Sequence, residues 1–154
     1  MDTIAASGSH DALRAPGTLF ARLRDAARPS WEAYVGHPFV RGLTDGSLPE
    51  AAFRRYLTQD YLFLIHFARA YALAAFKHAT VADIRGAAAT LNALIDHEMR
   101  LHVQYCAGWG IDEAAMEAEA EAEETMAYTR YVLERGLAGD VLDLEVALAP
   151  CVIG

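Results

Sequence analysis

Residues 50–79 read EAAFRRYLTQDYLFLIHFARAYALAAFKHA, and their spacing decides the fold class. Phe53, Leu57, Asp60, Leu64, Phe67 and Tyr71 recur at alternating intervals of four and three, the period of a single helical face turned inward. Ser47-Leu48-Pro49-Glu50 ahead of it supplies a cap, a first-turn proline and a capping-box acid, so a long helix is predicted from there to about Ala79.

The same period continues on either side. Thr80 with Asp83 opens a third helix whose predicted inward stripe is Ile84, Ala88, Leu91, Ile95, Glu98, His102 and Tyr105, ending at Gly108-Trp109-Gly110. The Ala/Glu tract from Glu113 to Glu124 has high helix propensity and no broad apolar face, so it is expected to be mostly solvated. A helix over about Glu124–Arg135 is predicted to close at Gly136. Asp140 then caps a last helix with the stripe Val141, Leu144, Leu148 and Cys151, bent at Pro150. Toward the N-terminus, Thr18–Val35 reads as one helix with a kink or break at Pro29, stopped by His37-Pro38 and followed by a turn at 42–46. No alternating stretch is framed by hairpin turns, and the fold class is all-α.

A chain of 154 residues, 54% hydrophobic and 22% charged, has apolar supply for one folded core. Its organisation is read as a loose N-terminal arm over 1–17 and one helical domain over 18–154. Val152 and Ile153 meet no polar turn, so the bundle is expected to be incomplete at the C-terminus and to expose apolar surface that promotes association. The net charge of -8 repels a phosphate backbone, which excludes nucleic acid as a partner. Leu62 to Phe76 is interrupted by His66 and Arg69 and makes no membrane span. Residues 1–17 carry no secretory signature and only Cys106 and Cys151 occur, so the expected compartment is the reducing cytoplasm.

Few residues can carry chemistry. Asp60 on an apolar stripe needs a partner. Either it belongs to a structural ion pair, or, among Tyr56, Tyr61, Phe63, Phe67 and Tyr71, it faces a planar heteroaromatic ligand with amino donors. Cys151 is either a small buried hydrophobe or a nucleophile that needs a neighbouring base, and Cys106 reads as structural. Glu98 and His102 at i and i+4, with Asp60 or His66 to complete a metal set, lack the spacing and second copy of a di-iron bundle; a mutually bonded pair in the core is expected, with no metal.

Taken together, His37-Pro38-Phe39-Val40, Gly42-Leu43-x-Asp45-Gly46-x-Leu48-Pro49 and Phe53-x-x-Tyr56-Leu57-x-Gln59-Asp60-Tyr61 resemble the TenA family, also called thiaminase II. The resemblance continues through Glu98-x-x-Leu101-His102, Tyr128-Thr129 and Pro150-Cys151. It implies a haem-oxygenase-like helical bundle, a homotetramer, that hydrolyses aminopyrimidines, or thiamin itself, in thiamin salvage without metal or organic cofactor. By motif match it implies Asp60 as the carboxylate that hydrogen-bonds the aminopyrimidine, Tyr128 as a pocket tyrosine and Cys151 as the nucleophile. Phe63 stands where the family often has tyrosine, which keeps a stacking surface and drops a hydroxyl. The family's later pocket tyrosines and C-terminal glutamate have no counterpart in these 154 residues. In the implied chemistry the thiolate adds to a ring held between aromatic walls and polarised by carboxylates, and a cationic ring pairs with Asp60. A pyrimidine-binding protein without turnover and a metal-dependent oxidase are the competing readings.

Overall fold

The computed structural model describes Ala12 and Arg14–Ile153. These residues form α1 (Leu19–Ala26), α2 (Arg28–Val35), α3 (Pro38–Asp45), α4 (Glu50–Lys77), α5 (Val81–Ala93), a π-helical turn (Leu94–Glu98), α6 (Met99–Ala107), α7 (Glu113–Ala118), α8 (Glu123–Ala138) and α9 (Val141–Ile153). No strand occurs among the described residues, as the all-α reading requires. No helix there is long and apolar enough to cross a membrane. The chain divides into two compact units, one holding residues up to Leu48 with Ala149 onward, the other Pro49–Leu148.

In the first unit the helical stretch over 18–35 does break into two, at Ala27 rather than at Pro29. Pro29 occupies the first turn of α2, where its missing N–H has no partner to lose. Thr18 caps α1 by accepting from the Ala21 amide at 3.2 Å. His37-Pro38 starts a helix instead of only ending one, because Pro38 is its first residue and the His37 Nδ1 accepts from the Phe39 amide at 3.2 Å. Gly46, at φ 75°, ends α3 in the left-handed conformation that glycine adopts without strain. Ser47 makes no cap: its amide donates to Asp45 at 2.9 Å, and α4 starts after Pro49 with no side-chain cap. The Arg14 guanidinium donates to the Ile153 carbonyl. The rest of the expected arm, residues 1–11 and Leu13, lies outside the described residues.

The second unit is built around α4, 28 residues long. It packs against α5, α6, α7 and α8 and is therefore buried on several sides: Thr58, Tyr61, Leu62 and Ala68 are buried beside the predicted stripe members Leu57, Leu64 and Phe67. Thr80 caps α5 as expected, accepting from the Asp83 amide at 3.1 Å. Beyond it the predicted stripe fails. The π-helical turn takes up an extra residue, which rotates the turns downstream of it by about 100°. Ahead of that turn Ile84 is already exposed and Ala87 buried, so the inward face is offset from the predicted one from the start; in the turn Leu94 is buried and Ile95 and Glu98 are exposed, and beyond it Cys106 is buried and Tyr105 exposed.

Most of the Ala/Glu tract is exposed, but it breaks after Ala118 and contributes Met116, fully buried against Leu57, Tyr61 and Cys106. Large apolar side chains also lie open to solvent, Phe76, Leu137, Leu101 and Val81 foremost. Helix α8 has no capping side chain of its own at Ala122. Gln59 of α4 supplies one: its Oε1 accepts from the Ala122 amide at 2.7 Å and the Thr125 hydroxyl at 3.0 Å, while its Nε2 donates to the Ala120 carbonyl at 2.9 Å.

Gly136 does not close α8, which runs on to Ala138. It is a close-packing position instead, where a Cβ would come within 2.8 Å of Leu144 and 2.9 Å of Leu73. Asp140 caps α9 as expected, accepting from the Leu142 and Asp143 amides at 2.9 and 3.1 Å, and Asp143 answers by accepting from the Asp140 amide. Leu144 and Leu148 are buried, whereas Cys151 is exposed.

Two stability measurements check these contacts. Gly136→Val drives a branched side chain into two leucines and is expected to cost about 2 kcal/mol by overpacking, read as a lower Tm; an unchanged Tm contradicts the close approach. Gln59→Ala is expected to cost about 1–2 kcal/mol, as loss of an N-cap does, and to speed hydrogen exchange at the Ala122 amide. Unaltered exchange there would show that the cap comes from elsewhere.

Candidate active site

Asp60 lies mid-way along α4, its side chain 25% exposed. The His102 Nε2, on α6, is 2.7 Å from its Oδ2, and the His102 Nδ1 is 2.8 Å from the Glu98 carbonyl oxygen. A carbonyl only accepts, so Nδ1 carries a proton; a carboxylate at Nε2 favours a proton there as well. The hydrogen bond to Asp60 accordingly pushes the His102 pKa above its ordinary value, against the opposing effect of burial. The partner expected for His102 was the Glu98 side chain. The π-helical turn directs Glu98 outward and leaves only its backbone carbonyl in contact. The other oxygen of Asp60, Oδ1, has no hydrogen-bond partner among the described residues.

Phe63 follows Asp60 by one helical turn. It stacks on Phe67 at 5.1 Å and on Tyr128 of α8 at 5.9 Å with planes 9° apart. The Tyr128 hydroxyl donates to the Ala147 carbonyl at 3.0 Å, tying α8 to α9 within the second unit. Three predicted site residues, Asp60, Phe63 and Tyr128, therefore sit on packed elements of one unit. A third ring between Phe63 and Tyr128 needs a spacing of about 7 Å, twice the carbon contact distance, so in this state no guest fits between these two walls. The void bordered by Phe63, His66, Phe67 and Thr129 is about 10 Å³. A much larger cleft of about 470 Å³ opens on the neighbouring side of α4, bordered by Tyr61, Ile65, Met99, Arg100, Glu113 and Glu117 rather than by Asp60.

Tyr61 is fully buried, and its hydroxyl is 2.9 Å from Glu113 and 3.4 Å from Glu117. Burial foremost, then Glu113, pushes the phenol pKa up, so it remains a proton donor. His66 completes no metal set: it is held by Glu121 at 2.9 Å and Arg69 at 3.1 Å, while Arg130 grips the Glu121 carboxylate at 2.5 and 3.2 Å. Burial, then the Arg130 charge, pushes the His66 pKa down and keeps the ring neutral. No group of three or more His, Cys, Asp or Glu side chains among the described residues could hold a metal ion.

Cys151 belongs to the first unit, on the last turn of α9. The Tyr34 hydroxyl donates to the carbonyl of Pro150, immediately before it, at 3.3 Å. Tyr34 is backed by Trp31 at 5.9 Å and Trp31 by Phe20 at 5.5 Å. Burial, then the charge of a Cys151 thiolate, raises the Tyr34 pKa. Nothing in the sequence pattern marks Tyr34 as a neighbour of the cysteine. Cys106 is fully buried, and burial pushes its thiol pKa up, as suits a structural residue.

Residues 24–154 match the TENA/THI-4/PQQC family. An uncharacterized protein of Haemophilus influenzae is 40% identical over 136 residues, covering 88% of this chain and 63% of that protein. An aminopyrimidine aminohydrolase of Halalkalibacterium halodurans is 40% identical over 131 residues, covering 85% of this chain and 58% of that enzyme. The crystal structure of a TenA family transcription regulator from Silicibacter sp. TM1040 superimposes with a TM-score of 0.85 at 50% identity, over 90% of this chain and 61% of that one. The chain thus spans about three-fifths of the length of the relatives it matches. With the match running from α1 to the last described helix and a shared all-α fold, the chain belongs to the TENA/THI-4/PQQC family.

Proposed function

We propose that the chain hydrolyses aminopyrimidines, with 4-amino-5-aminomethyl-2-methylpyrimidine as substrate and thiamin as a second one, by addition of the Cys151 thiolate to the pyrimidine ring. The observation that carries this reading is the state of Asp60: one oxygen is held by His102, and the other is an open acceptor one turn from the Phe63 ring. That pairing suits an exocyclic amine on a flat heterocycle. The relative from Halalkalibacterium halodurans, named an aminopyrimidine aminohydrolase, supports the same class of reaction.

In the proposed reaction the Cys151 sulfur bonds to an electron-poor ring carbon while Asp60 holds and polarises the ring. The displaced ring electrons expel the amine from the exocyclic methylene as ammonia, with a proton from water. Hydroxide then adds to the methylene, and the carbon–sulfur bond breaks to return the thiolate and give the hydroxymethyl product. Phe63 and Tyr128 supply an aromatic edge for the guest rather than two walls about it. The reaction is proposed to need no metal or organic cofactor; a homotetramer is what the family resemblance implies, and the cytoplasm is the compartment expected from the sequence.

The competing reading is a protein that binds the pyrimidine without turning it over. Two variants separate the readings. Cys151→Ser is expected to lower ammonia release from the aminomethyl substrate by at least about 100-fold, with hydroxymethylpyrimidine affinity by calorimetry within about threefold of wild type. Turnover retained in that variant removes the nucleophile. Asp60→Asn is expected to weaken hydroxymethylpyrimidine binding about tenfold or more, the worth of a hydrogen bond to a charged group; unaltered affinity removes the contact. A wild-type protein that binds the pyrimidine and releases no ammonia establishes the second reading.

A further inference from the structure

We propose that His102 is a positioning residue which, as an imidazolium, grips Oδ2 of Asp60 and fixes the carboxylate with a single open oxygen, and so makes the site select a pyrimidine with an amine rather than an oxygen at position 4. The inference rests on the preceding reading of Asp60 as the pyrimidine-binding carboxylate. It assigns to a neighbouring side chain the charge state on which that role depends.

Both His102 nitrogens have acceptors, the Glu98 carbonyl at 2.8 Å and Asp60 Oδ2 at 2.7 Å. Both bonds persist only while both nitrogens are protonated. The side chain is 14% exposed, so water competes poorly for it. The charged groups acting on it are Asp60 from α4 and Glu98 from the π-helical turn just ahead of α6, and both favour the imidazolium. A charge-assisted bond to Oδ2 fixes the orientation of the carboxylate and leaves Oδ1 turned away from the histidine. An ionised carboxylate accepts and cannot donate. A 4-amino group meets Oδ1 with an N–H, whereas a 4-oxo group brings a second oxygen against it. Without the imidazolium the bond to Oδ2 is weaker, the carboxylate is free to turn and Oδ1 no longer meets the 4-amino group at a fixed place, so the preference shrinks.

His102→Gln retains a neutral donor where Nε2 stood and drops the charge; His102→Ala drops both. Wild type and the two variants are titrated by calorimetry with hydroxymethylpyrimidine and with its 4-oxo analogue, and KM and kcat are measured for the aminomethyl substrate. The expected result for His102→Gln is an amino-over-oxo preference about tenfold smaller than wild type, with the loss of activity falling more on KM than on kcat. The KM of the wild type is expected to rise with pH as His102 loses its proton, and this limb is expected to vanish in His102→Gln. His102→Ala is expected to show the same loss of preference, with weaker binding of both ligands. An unchanged preference and pH profile in His102→Gln, beside a wild type that binds and turns over the amino compound, overturns the inference and leaves the proposed function standing. A wild type that ignores both pyrimidines overturns the proposed function, and with it the selection. The charge state is then read alone by nitrogen-detected NMR titration of His102 in wild type and Asp60→Asn. A His102 pKa above its ordinary value that falls in Asp60→Asn is expected, and an unshifted wild-type value refutes the imidazolium lock by itself.

Discussion

Three consecutive residues in the middle of α4, Gln59, Asp60 and Tyr61, each carry a polar group into the interior of the second unit. Successive helical residues point about 100° apart, so side chains that are neighbours in sequence reach three different elements. Gln59 caps the start of α8, Asp60 binds His102 on α6, and the Tyr61 hydroxyl meets Glu113 and Glu117 on α7. A polar group left unpaired in such a place is costly, so each bond admits only one register of its partner against α4. Apolar burial alone is non-directional and would tolerate sliding. Removing any of the three pins would loosen a different element, which is why the candidate site and the fold depend on the same short stretch.

The sequence pattern makes α4 legible because its stripe is uninterrupted, and it marks Asp60 because a carboxylate on an apolar stripe requires an explanation. It does not name the partner. A strict 3.6-residue period carried through 94–98 places Glu98 inward beside His102; the π-helical turn breaks that phase and leaves Glu98 exposed with only its carbonyl in contact. Prolines and glycines mislead in a consistent way. Pro38 and Gly136 read as punctuation, yet Pro38 serves as a helix's first residue and Gly136 lets α8 approach Leu73 and Leu144. Both residues have a second use that depends on tertiary surroundings, which local pattern does not contain. Met116 shows the same limit in a polar tract: one apolar residue among acids has no periodicity, and only the neighbouring Leu57, Tyr61 and Cys106 explain its burial.

The paired state of Asp60 also bears on the charge of the guest. A lone half-buried carboxylate attracts a cationic heterocycle strongly, and the chain's net charge of -8 points the same way. Once His102 is an imidazolium 2.7 Å from Oδ2, the pair is neutral in sum, and most of that attraction is already spent within the protein. What remains at Oδ1 is directional hydrogen-bond acceptance, which a neutral aminopyrimidine satisfies as well as a protonated one. The exchange favours geometry over charge: recognition at Asp60 comes from where an N–H points. The aromatic contact has the same character, since Phe63 and Tyr128 already stack on each other and offer an edge to a ring instead of a cage for a cation. A protonated ring therefore gains little over a neutral one at this site, and the help that Asp60 gives the ring toward a thiolate is the hydrogen bond it accepts rather than a counter-charge.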